Sequence, residues 1–134
     1  MDLGETVIVA GVGCRKDISA AQVESAIEAA LLHNRLAGHE LGLIAVPAVK
    51  GTEAGIVAAA AARGVRLMLI AQKALEAADV RTLTRSARSM ETMNVHSVAE
   101  AAALAAAGPN ARLLAPRVAV GPVTCALAEG EISS

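Results

Sequence analysis

Valine, isoleucine and alanine follow one another without a polar break after Thr6, which predicts a buried strand from Thr6 to Ala10. Beyond a short glycine-containing segment the period changes. Val23, Ile27, Ala30 and Leu31 recur at helical spacing, while Gln22, Glu24, Glu28 and Asn34 fall off that stripe. Ser19 with Gln22 three residues on has the spacing of a capping box, and Gly38 closes the helix near residue 37. A second apolar run, Leu43 to Val49, reads as a strand whose Pro47 points to an edge or irregular position, because proline donates nothing to a ladder. The turn KGTEAG follows, with Thr52 as candidate cap for an alanine-rich helix ending at Arg63-Gly64. Val65 to Ile70 is then a third strand, and Ala71 to Ala78 a short helix.

The pattern weakens over residues 80–95, which carry Arg81, Arg85 and Arg88 and read as a long connection or flexible loop. Ser97 with Glu100 repeats the capping-box spacing and opens a helix that stops at Gly108-Pro109. Arg112 to Ala119 and Val123 to Ala128 flank Val120-Gly121-Pro122 as a hairpin. This alternation predicts one α/β domain over residues 1–134, with a mostly parallel sheet, helices on both faces and a C-terminal antiparallel hairpin. Ligands of such sheets gather beyond the carboxyl ends of the strands, where VIVAGVGCRKDIS (7–19) and KGTE (50–53) lie. Ser97 joins them if the third crossover folds in the same sense.

Composition narrows what such a site can hold. The 134 residues are 54% hydrophobic and 19% charged with a net charge of −1, so the chain is neither disordered nor generally attractive to nucleic acid, and any anion site must be local. It contains no Phe, Tyr or Trp, so small residues must pack helices close to the sheet and no side chain can stack on a base. Cys14 and Cys125 form no disulfide framework, the start MDLGETV lacks the features of a secretory leader, and the apolar tracts are too short for a membrane span. A cytoplasmic, soluble protein without nucleic-acid or membrane partners is therefore expected.

The candidate chemistry is concentrated in the turns. Gly11 and Gly13 are followed by Lys16 where a dinucleotide fingerprint needs its third glycine, and no phosphate-loop run occurs. Cys14, beside Arg15 and Lys16 and near a helix start, is expected to have a lowered pKa; it is a candidate nucleophile for which local sequence supplies no histidine base. His33 and His39 straddle a helix end without a third ligand, so no metal and no cofactor are expected. Arg15 and Lys16 beside backbone N–H groups make one anion subsite and Lys50 with Thr52 another, while Glu53 either balances Lys50 or serves as a general base. From the residues alone, this is a small α/β domain that binds a multiply anionic small molecule.

The order GVGCRKDIS, VKGTEAG, HSVAEAAAL and GPVTCALAE resembles the CobE and CbiG C-terminal domain family of cobalamin biosynthesis over nearly the whole chain, and is similar to its stand-alone CobE type. Gly11, Gly13, Cys14, Arg15 and Lys16 match the family's first motif, Lys50 and Glu53 its second, and Ser97, Ala99 and Glu100 its third. Asp17 and His96 stand where glycine is usual, so the backbone of both turns is expected to differ and His96 to add a polar contact. The resemblance implies a precorrin or corrinoid ligand rich in acetate and propionate carboxylates. The residues holding it would be those of the first two motifs, with Thr52, His96 and Ser97, and the protein would act as a carrier or accessory to other enzymes of the pathway. Fused relatives open the lactone of a cobalt-precorrin and release acetaldehyde, so a lactone hydrolase, with Glu53 or a bound water as base, is the alternative; a partner of another pathway enzyme without a ligand is the third.

Overall fold

The computed structural model describes residues 5–132. Strand β1 (Glu5–Cys14) is longer than its apolar run, because β6 (Val123–Ile132) pairs antiparallel along its whole length, from Glu5 opposite Ile132 to Cys14 opposite Val123. Both glycines of GVGC are therefore strand residues, and the turn occupies only the residues between Cys14 and helix α1 (Ala20–His33). On the other side, β1 pairs parallel with β2 (Leu43–Pro47), and β2 with β3 (Arg66–Ile70). The expected single strand from Arg112 to Ala119 is broken at residues 114–117 into two short strands, β4 (Arg112–Leu113) and β5 (Val118–Val120), both antiparallel to β6, and only β5 is the hairpin arm. The expected α/β class, helices on both faces and terminal hairpin are present, but the sheet is mixed and not mostly parallel: only β1, β2 and β3 pair parallel, because β6 returns along the full length of β1 in the opposite direction.

Alternation along the strands supplies two cores. Ala10, Val12, Ile44, Val46 and Leu127 face α1 and α2 (Ala54–Arg63), where they meet Val23, Ile27, Leu31 and Ile56. The predicted stripe of the first helix is the buried one. On the opposite face, Val9, Leu43, Ala45 and Ala128 meet α3 (Gln72–Ala78) and α5 (Val98–Ala107). The aromatic-free composition has its consequence here. A Cβ at Gly11 would overlap the Ala99 carbonyl oxygen and come within 2.6 Å of Ala103 N, and one at Gly130 would overlap the Ala107 carbonyl oxygen. An alanine helix thus lies flush on a glycine strip of the sheet, closer than side chains of ordinary size permit.

Several local expectations change in three dimensions. Helix α1 ends at His33, capped by Asn34, and Gly38 belongs to the turn that follows. Pro47 closes an interior strand, opposite Ile70, so its missing N–H falls where the ladder ends. Thr52 is not the cap of α2; Glu53 holds that position without a side-chain capping bond. Gly64 ends α2 in the left-handed conformation, as expected. Residues 80–95 are an ordered segment, with a single 3₁₀ turn at Asp79–Arg81 and a short helix α4 (Ala87–Met93) whose cap, Ser86, accepts from the Ser89 N–H. No helix among the described residues is long and apolar enough to cross a membrane.

Glu100 explains why that segment is ordered. The Ser97 Oγ accepts from Glu100 N at 3.4 Å, but the reciprocal half of the capping box is missing. The fully buried Glu100 carboxylate instead accepts from Leu83 N (2.6 Å), Thr84 N (2.9 Å), Thr84 Oγ1 (2.5 Å) and Arg117 N (2.9 Å). Burial raises the pKa of this carboxyl, and the four hydrogen bonds outweigh burial and hold it below the usual range. The last of these bonds fixes the backbone of Arg117, in the segment between β4 and β5.

Asp17 adopts φ 60° and donates its N–H to Glu53 Oε1 at 3.2 Å. A left-handed residue with a side chain carries strain that glycine avoids, which fits the glycine usual at this position in the resembled family. Urea denaturation is expected to find Asp17→Gly about 1 kcal/mol more stable than Asp17→Ala; equal midpoints would remove the strain argument.

Candidate functional site

The carboxyl ends of β1 and β2, helix α4 and the β5–β6 turn enclose a cavity of about 270 Å³. Four cations reach it from separate segments of the chain. Arg15 follows β1 directly and is pinned by its N–H to the Pro122 carbonyl at 3.3 Å, and Lys50 ends the 3₁₀ turn after β2. Arg88 comes from α4, and Arg117 from the residues whose backbone Glu100 holds. All four line the cavity, and no aspartate or glutamate among the described residues does so. Four positive charges with no carboxylate in the lining, Glu53 being nearby but bonded to the Asp17 turn, make an anion-seeking depression in a chain of net charge −1. Cys14, Pro47, Met93 and Val98 supply its apolar surface.

The residues singled out from sequence are only partly united here. Gly13, Cys14, Arg15 and Lys50 line the cavity. Gly11 lies beneath α5 and can touch no ligand; its role is helix packing. Lys16 and Thr52 are exposed and lie outside the lining. Glu53 secures the Asp17 turn through its carboxylate, and Ser97 is the buried cap of α5. His96 donates its backbone N–H to Asp79 Oδ1 and pairs its Nδ1 with Oδ2, each at 2.7 Å, outside the lining. Burial opposes the Asp79 charge, but the His96 bonds and the nearby Arg85 outweigh it and hold that carboxyl below its usual range.

Cys14 also departs from expectation. It ends a strand, not a helix N-terminus, and burial pushes its thiol upward; Lys50 works against this and Glu53 adds to it. The protonated thiol is a poor nucleophile. Cys125, fully buried beneath α1 and opposite Val12, is pushed up to about 12. Sequence reading missed Arg88, Arg117, Ser86, Ser89 and Thr92, which line the cavity from segments without a motif. The one signal was the arginine density of residues 81–88, in a stretch too aperiodic to place.

The family model described as "Cobalamin synthesis G C-terminus" matches residues 8–128. The chain belongs to this family. Its place in cobalamin biosynthesis follows, and the matched span of the cobalamin-synthesis G C-terminal family includes all four cavity cations. Among solved structures, that of CobE, a protein from the cobalamin (vitamin B12) biosynthetic pathway, is similar with a TM-score of 0.89 and 29% identity, covering 100% of this chain and 97% of that one. Cobalamin biosynthesis protein ChiG from Agrobacterium tumefaciens str. C58 is similar with a TM-score of 0.72 and 37% identity, covering 91% of this chain and 97% of that one. No curated protein matches the chain.

Proposed function

We propose that this protein binds a carboxylate-rich, precorrin-type tetrapyrrole as a carrier or accessory of cobalamin biosynthesis. The observation that carries the reading is the convergence of Arg15, Lys50, Arg88 and Arg117 on one cavity with no acid among its lining residues. Cations placed this way offer charge-assisted hydrogen bonds to peripheral carboxylates, while Met93, Val98 and Pro47 face the less polar ring edge. At about 270 Å³ the cavity is below the range that encloses a ligand of drug size, so it suits one rim of a macrocycle whose remainder lies outside. The carrier reading is preferred to the hydrolase alternative because Glu53 is bonded to the Asp17 turn, burial pushes the Cys14 thiol toward its protonated form, and no histidine or carboxylate among the described residues lines the cavity; a bound water is the base left to that alternative.

Cobyrinic acid, a coloured corrin with free peripheral carboxylates, provides the test. Its visible-absorbance titration into the protein is expected to saturate, whereas the fully esterified corrin does not bind. Arg15→Ala and Lys50→Ala are each expected to weaken binding about tenfold or more. Unchanged affinity in both variants, or equal binding of the ester, would sink the reading.

A further inference from the structure

Four hydroxyl side chains line the cavity, and three of them are engaged. The Ser86 Oγ accepts from Ser89 N at 3.2 Å, Thr92 Oγ1 donates to the Arg88 carbonyl at 3.0 Å, and Thr124 Oγ1 donates to the Gly13 carbonyl at 3.3 Å. Ser89 is the exception. Its residue is 9% exposed, its Oγ is shielded from water, and that atom has no hydrogen-bond partner among the described residues. A buried hydroxyl left unpaired is destabilising, and a ligand group that pairs with it offsets that cost. Arg88, the neighbouring residue on α4, is exposed and lines the same cavity. A serine side chain turns about a single bond, so a group seated beside Arg88 can recruit this hydroxyl without a change of backbone.

We infer that Ser89 and Arg88 form a second anion subsite on the α4 wall of the cavity, one that takes a carboxylate separate from the group held by Arg15 and Lys50. The inference rests on the tetrapyrrole reading above and sharpens it: the recognised rim carries at least two neighbouring carboxylates, one for the strand-end cations and one for α4. The α4 wall then decides between tetrapyrroles whose rims differ in the second carboxylate, because an alkyl group there leaves the Ser89 hydroxyl unpaired and forgoes the charge-assisted bond to Arg88.

The test is a visible-absorbance titration with cobyrinic acid at low and high salt, together with thermal denaturation of the free protein. Ser89→Ala is expected to weaken binding about tenfold while the Tm of the free protein stays equal or rises, since the substitution removes a hydroxyl that had no partner. Arg88→Gln, at an exposed position that the fold does not need, is expected to weaken binding similarly and to flatten its salt dependence. If both variants bind as the wild type while Arg15→Ala is weakened, the second subsite is overturned and the tetrapyrrole reading stands. A lowered Tm for Ser89→Ala would also overturn it, by showing that the hydroxyl serves the fold. Absence of binding to the wild type overturns the tetrapyrrole reading and the subsite together.

Discussion

Gly11→Ala is expected to cost about 3 kcal/mol or more of folding free energy, a large share of the roughly 5–15 kcal/mol that stabilises an ordinary domain. The obstacle to the new methyl group is backbone: the Ala99 carbonyl oxygen and Ala103 N of α5, neither of which can rotate away. The whole helix would have to lift from β1, and α5 covers that face of the sheet with Ala99, Ala101, Ala102, Ala103 and Leu104, all buried. No side-chain deletion on α5 relieves the clash, so Ala103→Gly is not expected to rescue the variant. Gly13→Ala supplies the contrast. Its Cβ would meet Thr124 Oγ1 at 2.8 Å, and a hydroxyl can turn aside at the expense of one hydrogen bond, a loss of about 1 kcal/mol. Urea denaturation of the two variants measures the difference, and similar midpoints would contradict the flush packing of α5.

The second large effect is at Glu100. Replacement by alanine leaves the part-buried N–H groups of Leu83, Thr84 and Arg117 without their acceptor, and a loss of about 3 kcal/mol is expected; Glu100→Gln, which keeps one acceptor oxygen, should lose less, about 2 kcal/mol. The sign of the pH dependence follows from the lowered pKa. The folded value lies below the ordinary 4.5, so the carboxylate's contribution is complete above that value and is lost as the pH falls through the folded pKa. The wild type should therefore lose stability on acidification below about pH 4.5, and Glu100→Gln should lose less over the same interval. Because the same carboxylate fixes the segment that carries Ser86, Arg88 and Ser89 and the backbone of Arg117, cobyrinic acid should bind Glu100→Gln more weakly even at neutral pH. An unchanged urea midpoint for Glu100→Ala at neutral pH would rule out this anchoring role.

Both effects arise where local reading was misleading. Gly11 belongs to a motif that suggests a turn around a ligand, yet its lack of a side chain serves a helix that begins at Val98. Glu100 stands three residues after Ser97, the spacing of a capping box, yet its carboxylate reaches residues 83, 84 and 117. The arginine-bearing stretch before α5 lacks periodicity because α4 is a single short helix held by tertiary bonds, so half of the cavity wall was invisible in the pattern.

The sequence by itself determined the elements whose signals lie within a turn or two of one another. These include the Ser19–Gln22 capping box, the buried stripe of α1, the left-handed stop at Gly64 and the hairpin at Gly121-Pro122. It also placed Arg15 and Lys50 beyond the carboxyl ends of two successive strands, because a helical crossover returns each strand in the same direction; that the two strands are neighbours was settled by the tertiary structure. Only the tertiary structure decided that β6 would extend β1 through both glycines, that α5 would rest on them, and that Arg88 and Arg117 would complete the cavity. Those decisions depend on contacts between residues far apart in the chain, and a period of two or 3.6 residues carries no record of which distant backbone will lie against it.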